Sequence, residues 1–187
     1  MNISKTFIKI WNINIDKNIN HYKAIYQVIP EKWQLLLISD GSFTRNLSII
    51  NKYTVLLKLI KQEKKFYPSQ IILSKKTTKD KKKLAFSREI WLIDKKNYLI
   101  FAKSYHGKQI FNSKIIDKNK PLGLLLIESE TEIYREITSI YHGYSKILER
   151  KFKTVGPFWG RSYQILYKNK ILILINEFFS PTLISRT

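Results

Sequence analysis

Twice in this chain, two strand-like runs are joined by only a few polar residues, and that pattern restricts the fold more than any other feature. Leu84 to Ile93 and Tyr98 to Tyr105 flank Asp94-Lys95-Lys96-Asn97. Tyr163 to Tyr167 and Ile171 to Phe179 flank Lys168-Asn169-Lys170, and Pro181 then stops the sheet. Connections this short suit antiparallel hairpins. Tyr53 to Lys61, rich in Val, Leu and Ile, and Thr131 to Tyr141, with β-branched and aromatic residues between charges, predict further strands. Helix signals gather toward the N-terminal end. Pro30 and Glu31 open a helix that carries Trp33, Leu35, Leu36 and Leu37 and ends near Asp40-Gly41. The hydroxyl-rich Ser42 to Leu47 starts another short helix with Phe43 at its mouth, and Pro121-Leu122-Gly123 predicts a tight bend before the apolar Leu124 to Ile127. The expectation is an α+β fold, a single domain over residues 1–187 with an antiparallel β-sheet and helices packed on one side.

Charge is the loudest compositional signal and the least specific. The 187 residues carry 34 Lys and Arg against 14 Asp and Glu, a formal net charge of +20. Such an excess suits nucleic acid, an anionic membrane surface or a small anionic substrate alike. The chain also holds 30 Ile, 28 Lys and 12 Asn but only 3 Ala and 6 Arg, the bias of an AT-rich genome such as that of an organelle or a small bacterium. Under that pressure Lys fills tolerant surface positions, and the densest block, Ser74 to Lys83, reads as an exposed loop rather than a nucleic-acid footprint. No aromatic signature of an RNA-recognition module accompanies it, so nucleic acid is a secondary reading.

Several chemistries drop out. Without cysteine there are no disulfides, thiolate metal sites or Cys nucleophile. His21, His106 and His142 stand in no metal-ligand spacing, and packing or surface roles suffice for them. Gly123, Gly143, Gly156 and Gly160 are scattered and build no phosphate loop. The longest aliphatic run, Ile171 to Ile175, is far short of the roughly 18 residues of a membrane-spanning helix. Met1 to Ile15 mixes apolar residues with Lys and Asn and lacks the apolar core of a secretory signal.

Two ionisable residues on apolar strands remain. Glu177 interrupts Ile-Leu-Ile-Leu-Ile-Asn-Glu-Phe-Phe and is the only acid after Glu149. Burial of its carboxylate costs several kcal/mol unless a cation or hydrogen bonds compensate. It either serves a site, or reaches solvent at the strand end, or pairs with Arg161 across the hairpin. Arg88, in Phe-Ser-Arg-Glu-Ile-Trp-Leu-Ile, shares a strand face with Ile90 and Leu92 while Glu89, Trp91 and Ile93 point the other way. Its planar guanidinium is suited to gripping a carboxylate, and a salt bridge on an exposed sheet face is the simpler alternative.

Four ordered segments then carry a resemblance: Leu-Ile-Ser-Asp-Gly-Ser-Phe-Thr-Arg from Leu37, Ser-Arg-Glu-Ile-Trp-Leu-Ile from Ser87, Pro-Leu-Gly from Pro121, and Phe-Trp-Gly-Arg-Ser from Phe158 leading into Asn-Glu-Phe-Phe-Ser-Pro from Asn176. In order and spacing, across residues 33–181, the chain resembles the chorismate lyase family, including its plastid-encoded members. The resemblance implies elimination of pyruvate from chorismate to give 4-hydroxybenzoate, in a site closed from solvent by flaps and with neither cofactor nor metal. It implies that Arg88 grips the ring carboxylate with help from the backbone at Leu122. It also implies that Phe43 takes a flap position often filled by Met, and that Glu177 meets the C4 hydroxyl and assists loss of the C4 proton. Arg88 and Glu177 are thus the expected catalytic residues, with Phe43 and Leu122 added for substrate binding. Lys103 stands where the best-known members carry Arg. The implied partners are the small molecules chorismate and 4-hydroxybenzoate, met by a monomer in the plastid stroma, or in the cytoplasm if the chain is not plastid-encoded. A non-catalytic binder of a small aromatic acid on the same architecture is the alternative.

Overall fold

The computed structural model describes residues 3–15, 25–38, 55–68, 82–94, 97–107, 133–168 and 170–184. Seven strands form one antiparallel sheet: β1 (Ile8–Asn14), β2 (Leu56–Pro68), β3 (Lys82–Asp94), β4 (Asn97–Gly107), β5 (Tyr134–Tyr144), β6 (Phe158–Tyr167) and β7 (Lys170–Phe179). Their spatial order is β1-β5-β6-β7-β4-β3-β2. Helices accompany them at α1 (Ile3–Thr6), α2 (Glu31–Ile38) and α3 (Lys146–Phe152), residues 25–28 are also helical, and a 3₁₀ turn lies at Pro181–Leu183.

Both hairpins form as expected. Asp94 faces Asn97 at the end of β3 and β4, and Tyr167 faces Lys170 at the end of β6 and β7, where Lys168 takes a left-handed φ of 47°. The predicted helix after Pro30 is α2, and the two further predicted strands are β2 and β5. Some boundaries differ. Lys82 and Lys83, placed in the basic loop, begin β3 opposite Pro68 and Tyr67, because the ladder continues past the charge run. The short helix from Ser42, the bend at Pro121 to Gly123, Leu124 to Ile127 and the rest of the basic block lie outside the described residues.

Helices lie on both faces of the sheet, where the sequence pointed to one side. On the first face Leu36 and Leu37 of α2 pack with Leu92, Ile100, Ile140, Trp159 and Phe179. On the second, Ile3 of α1 and Leu148 and Phe152 of α3 pack with Trp91, Phe101, Tyr141, Phe158 and Phe178. The reason is visible in the strands. Trp91 and Leu92, Phe101 and Ile100, Phe178 and Phe179 are neighbours that point oppositely and are all buried, so each face needs a cover.

On the second face Tyr141 lies over Gly160, and its hydroxyl donates to the backbone oxygens of Arg161 (3.1 Å) and Glu177 (3.4 Å). A Cβ at Gly160 would sit 2.2 Å from the Tyr141 ring and 2.8 Å from the Glu177 carbonyl oxygen. Gly160→Ala is therefore expected to lower stability by about 1–3 kcal/mol, the range for overpacking, as urea denaturation will measure.

Candidate functional site

The ladders place the side chains of the first face in rows. Nearest α2 runs an apolar row of Trp159, Phe179, Ile100 and Leu92. The next carries Arg161, Glu177, Ala102 and Ile90, the third Tyr163, Ile175, Ser104 and Arg88, and the fourth Ile165, Ile173, His106 and Phe86. Arg88 on β3 and Glu177 on β7 thus share one face, separated by β4, which contributes the small Ala102 and Ser104 between them. Two strand spacings of about 4.8 Å and an offset of two residues put their Cα atoms roughly 12 Å apart.

Both are buried, Arg88 at 1% exposure and Glu177 at 7%. Burial on an interior face sets aside two of the simpler alternatives, the exposed ion pair for Arg88 and the solvent-reaching strand end for Glu177. The third holds: Arg161 Nε donates to Glu177 Oε2 at 2.8 Å. Tyr163 OH donates to Glu177 Oε1 at 2.9 Å. Burial, with the Glu177 charge beside it, pushes the Tyr163 phenol up, so it stays protonated as that donor. Each carboxylate oxygen keeps a further lone pair for another donor.

Arg161, fully buried, has a second task. Its Nη1 donates to the carbonyl oxygens of Leu36 (2.9 Å) and Leu37 (3.3 Å) in the last turn of α2. Those carbonyls lack partners within the helix and carry the negative end of its dipole, so a guanidinium meets them with both hydrogen bonds and charge. Arg161 and Arg135 also stack over the Tyr163 ring, at 5.1 and 4.7 Å from its centroid. Among the described residues of β3 to β7 on this face, the guanidiniums of Arg88, Arg135 and Arg161 outnumber the carboxylates of Glu177 and, at the turn end of β3, Asp94. The face is electropositive and suits an anionic ligand.

His106 was read from sequence as a packing or surface residue. It is buried on this same face, stacked on Phe86 with centroids 5.8 Å apart and rings 9° from parallel. Burial and the nearby Arg88 charge lower its pKa to about 4, so the imidazole is neutral at pH 7. Nothing in the spacing of the three histidines marked it; only the β4 register does. Lys103 lies on the opposite face, where its Nζ meets Glu89 Oε1 at 2.6 Å. Its difference from Arg therefore does not touch the Arg88 face. Phe43 and Leu122 lie outside the described residues. Among the described residues no group of three His, Asp or Glu gathers to hold a metal ion, and no helix is long and apolar enough to cross a membrane.

Comparison with known proteins follows the same line. A family model described as Rv2949c-like chorismate pyruvate-lyase matches residues 37–186. The chain belongs to this family. Relatives named "Uncharacterized protein ycf21" are 36% identical in Pyropia yezoensis, over 83% of this chain and 84% of the relative, and 31% identical in Antithamnion sp., over 92% and 96%. Among solved structures the sheet is similar to the effector domain of PhnF from Mycobacterium smegmatis, with a TM-score of 0.61 at 8% identity over 78% of this chain and 92% of that one. The gene product SA0254 from Staphylococcus aureus gives 0.57 at 10% identity, over 76% and 90%. At such identities the likeness is one of fold alone.

Proposed function

We propose that this member of the chorismate pyruvate-lyase family binds chorismate on the Arg88 face and eliminates pyruvate from it, leaving 4-hydroxybenzoate. The observation that carries the reading is the placement of buried Arg88 and buried Glu177 on one electropositive face, separated by the small Ala102 and Ser104. A flat ring with a carboxylate at one end and a hydroxyl at the other needs a cation and an acceptor at opposite ends. Arg88 takes the ring carboxylate, and Glu177, held by Arg161 and Tyr163, accepts from the C4 hydroxyl. In the reaction the bond from the ring to the enolpyruvyl oxygen breaks, C4 loses its hydrogen as a proton, and the departing enolpyruvate gains a proton to become pyruvate. Aromatisation supplies the driving force. The protein holds the reactive conformer, excludes water and stabilises negative charge on the departing oxygen, for which the surplus of guanidiniums is suited.

A second reading, a binder of a small aromatic carboxylate without turnover, draws on one specific feature. Both carboxylate oxygens of Glu177 already accept hydrogen bonds, which favours an orienting acceptor over a proton-abstracting base. Purified protein mixed with chorismate decides between them, with 4-hydroxybenzoate followed by absorbance and pyruvate by a coupled dehydrogenase. The lyase reading expects equal amounts of both products well above the uncatalysed rate. Saturable binding of 4-hydroxybenzoate with no product formation would select the binder. The plastid is the proposed location, supported by the AT-rich composition and by the likeness to the ycf21 proteins of algae.

A further inference from the structure

We infer that His106 is a second ligand-gripping group of this site, donating a hydrogen bond from its neutral imidazole to the carboxylate that Arg88 holds. The inference deepens the ligand reading above and rests on it. His106 is 1% exposed, yet among the described residues neither Nδ1 nor Nε2 has a hydrogen-bond partner. Buried polar groups in folded proteins are nearly always paired, and one left unpaired marks a place where a ligand or water completes the structure. A neutral imidazole has one donor and one acceptor to satisfy, and its protein neighbours here satisfy neither.

The location says which ligand group would do so. His106 is opposite Phe86 and Ile173, one side-chain row from the row that holds Arg88, Ser104 and Ile175. Its diagonal neighbour across the β3–β4 pair is Arg88, at a separation that side chains of this length span. The Arg88 charge is felt at the ring, which helps to hold it neutral. Stacking on Phe86 fixes the plane of the imidazole, so its nitrogens are aimed in advance and little rotamer entropy is lost on binding. An N–H donor beside a guanidinium is complementary to a carboxylate, which has four lone-pair sites and accepts from both at once. The ligand class is a small planar carboxylate, and the recognised end is its anionic one.

The cost falls on the ligand-free protein, and this separates the inference from a packing role. An unpaired buried imidazole destabilises the fold, so His106→Phe, of similar shape and apolar, is expected to raise the melting temperature of the free protein. The same variant is expected to weaken 4-hydroxybenzoate binding by on the order of tenfold or more in calorimetry at pH 7.5, the range for a hydrogen bond to a charged group. His106→Gln, which keeps a donor, should recover part of that loss. Phenol, which lacks the carboxylate, should bind His106→Phe and the unaltered protein alike. Unchanged 4-hydroxybenzoate affinity in His106→Phe would overturn the inference, and so would equal losses for 4-hydroxybenzoate and phenol. Failure of the unaltered protein to bind 4-hydroxybenzoate would instead remove the underlying ligand reading and this inference with it.

Discussion

Arg161→Ala is expected to destabilise the protein by about 3–5 kcal/mol, the range for breaking a buried ion pair from one side. Three losses add in the same direction. Glu177, at 7% exposure, loses the cation 2.8 Å away, the last-turn carbonyls of Leu36 and Leu37 lose their donor, and the Tyr163 ring loses a stacked guanidinium. A shift of that size is a large fraction of the 5–15 kcal/mol typical of a folded domain, and thermal or urea unfolding will read it directly. A double variant isolates the ionic part. Adding Glu177→Gln to Arg161→Ala removes the stranded charge and should restore some of the stability, although Glu177→Gln alone is destabilising. Were the two effects simply additive, Arg161 would act by packing and by its helix contacts, and the pair would carry no coupling energy.

Arg88→Ala is expected to weaken 4-hydroxybenzoate binding by about 1.5–3 kcal/mol, roughly 10- to 150-fold. Chorismate turnover should fall by at least the same factor, because the ring carboxylate is held throughout the reaction and its misplacement affects every later step. Arg88→Lys is the informative companion. It preserves the charge but not the planar fork, so an intermediate loss would show that bidentate geometry matters, and full retention would show that charge alone suffices. Affinity unchanged in Arg88→Ala would remove Arg88 from the site and with it the proposed orientation of the ligand. The two variants are distinguishable by design. Arg161 binds the sheet to α2 and should show itself in unfolding, whereas Arg88 should show itself in ligand titrations.

The expected effects differ because the two guanidiniums are set differently into one face. Arg161 is encircled by protein acceptors: a carboxylate across the β6–β7 pair and two carbonyls from a helix 124 and 125 residues earlier in the chain. Arg88 stands two rungs of the sheet away, beside small side chains and a neutral His106. One cation closes the fold around Glu177, and the other charges the region in which a ligand carboxylate would sit. One face of the sheet thus serves stability in one side-chain row and, in the proposed reading, recognition in the next.

Much of this was written locally along the chain. The two hairpins were legible because a short polar turn between period-two runs admits one pairing direction, whereas the register beyond each turn is set by an irregularity in the ladder, at Leu92/Ile93 in one hairpin and at Ile165/Leu166 in the other. Strand alternation puts Arg88 with Ile90 and Leu92, and the pairing of Glu177 with Arg161 was one of the alternatives open to the sequence. β1 and α3 escaped notice. Ile8–Asn14 is short, mixed with Lys and Asn and mostly exposed, and becomes a strand only because β5 is there to pair with it. Lys146–Phe152 is a helix of 7 residues, below the length at which helical periodicity is readable, and is stabilised by burying Leu148 and Phe152 against Trp91, Phe101 and Phe178.

The sequence by itself determined the α+β class, the two antiparallel hairpins, the residues that share a strand face with Arg88 and a cross-strand pairing open to Glu177. All of these depend on near neighbours or on a single turn. Only the tertiary structure decided that helices cover both faces, that Arg161 also bonds the carbonyls of α2, that Lys103 turns away from the Arg88 face toward Glu89, and that His106 is buried beside Arg88 with no hydrogen-bond partner among the described residues. The physical reason is range. Strand alternation is set by covalent geometry within two residues, whereas desolvation and charge at a buried side chain depend on every segment packed around it, wherever in the chain that segment originates.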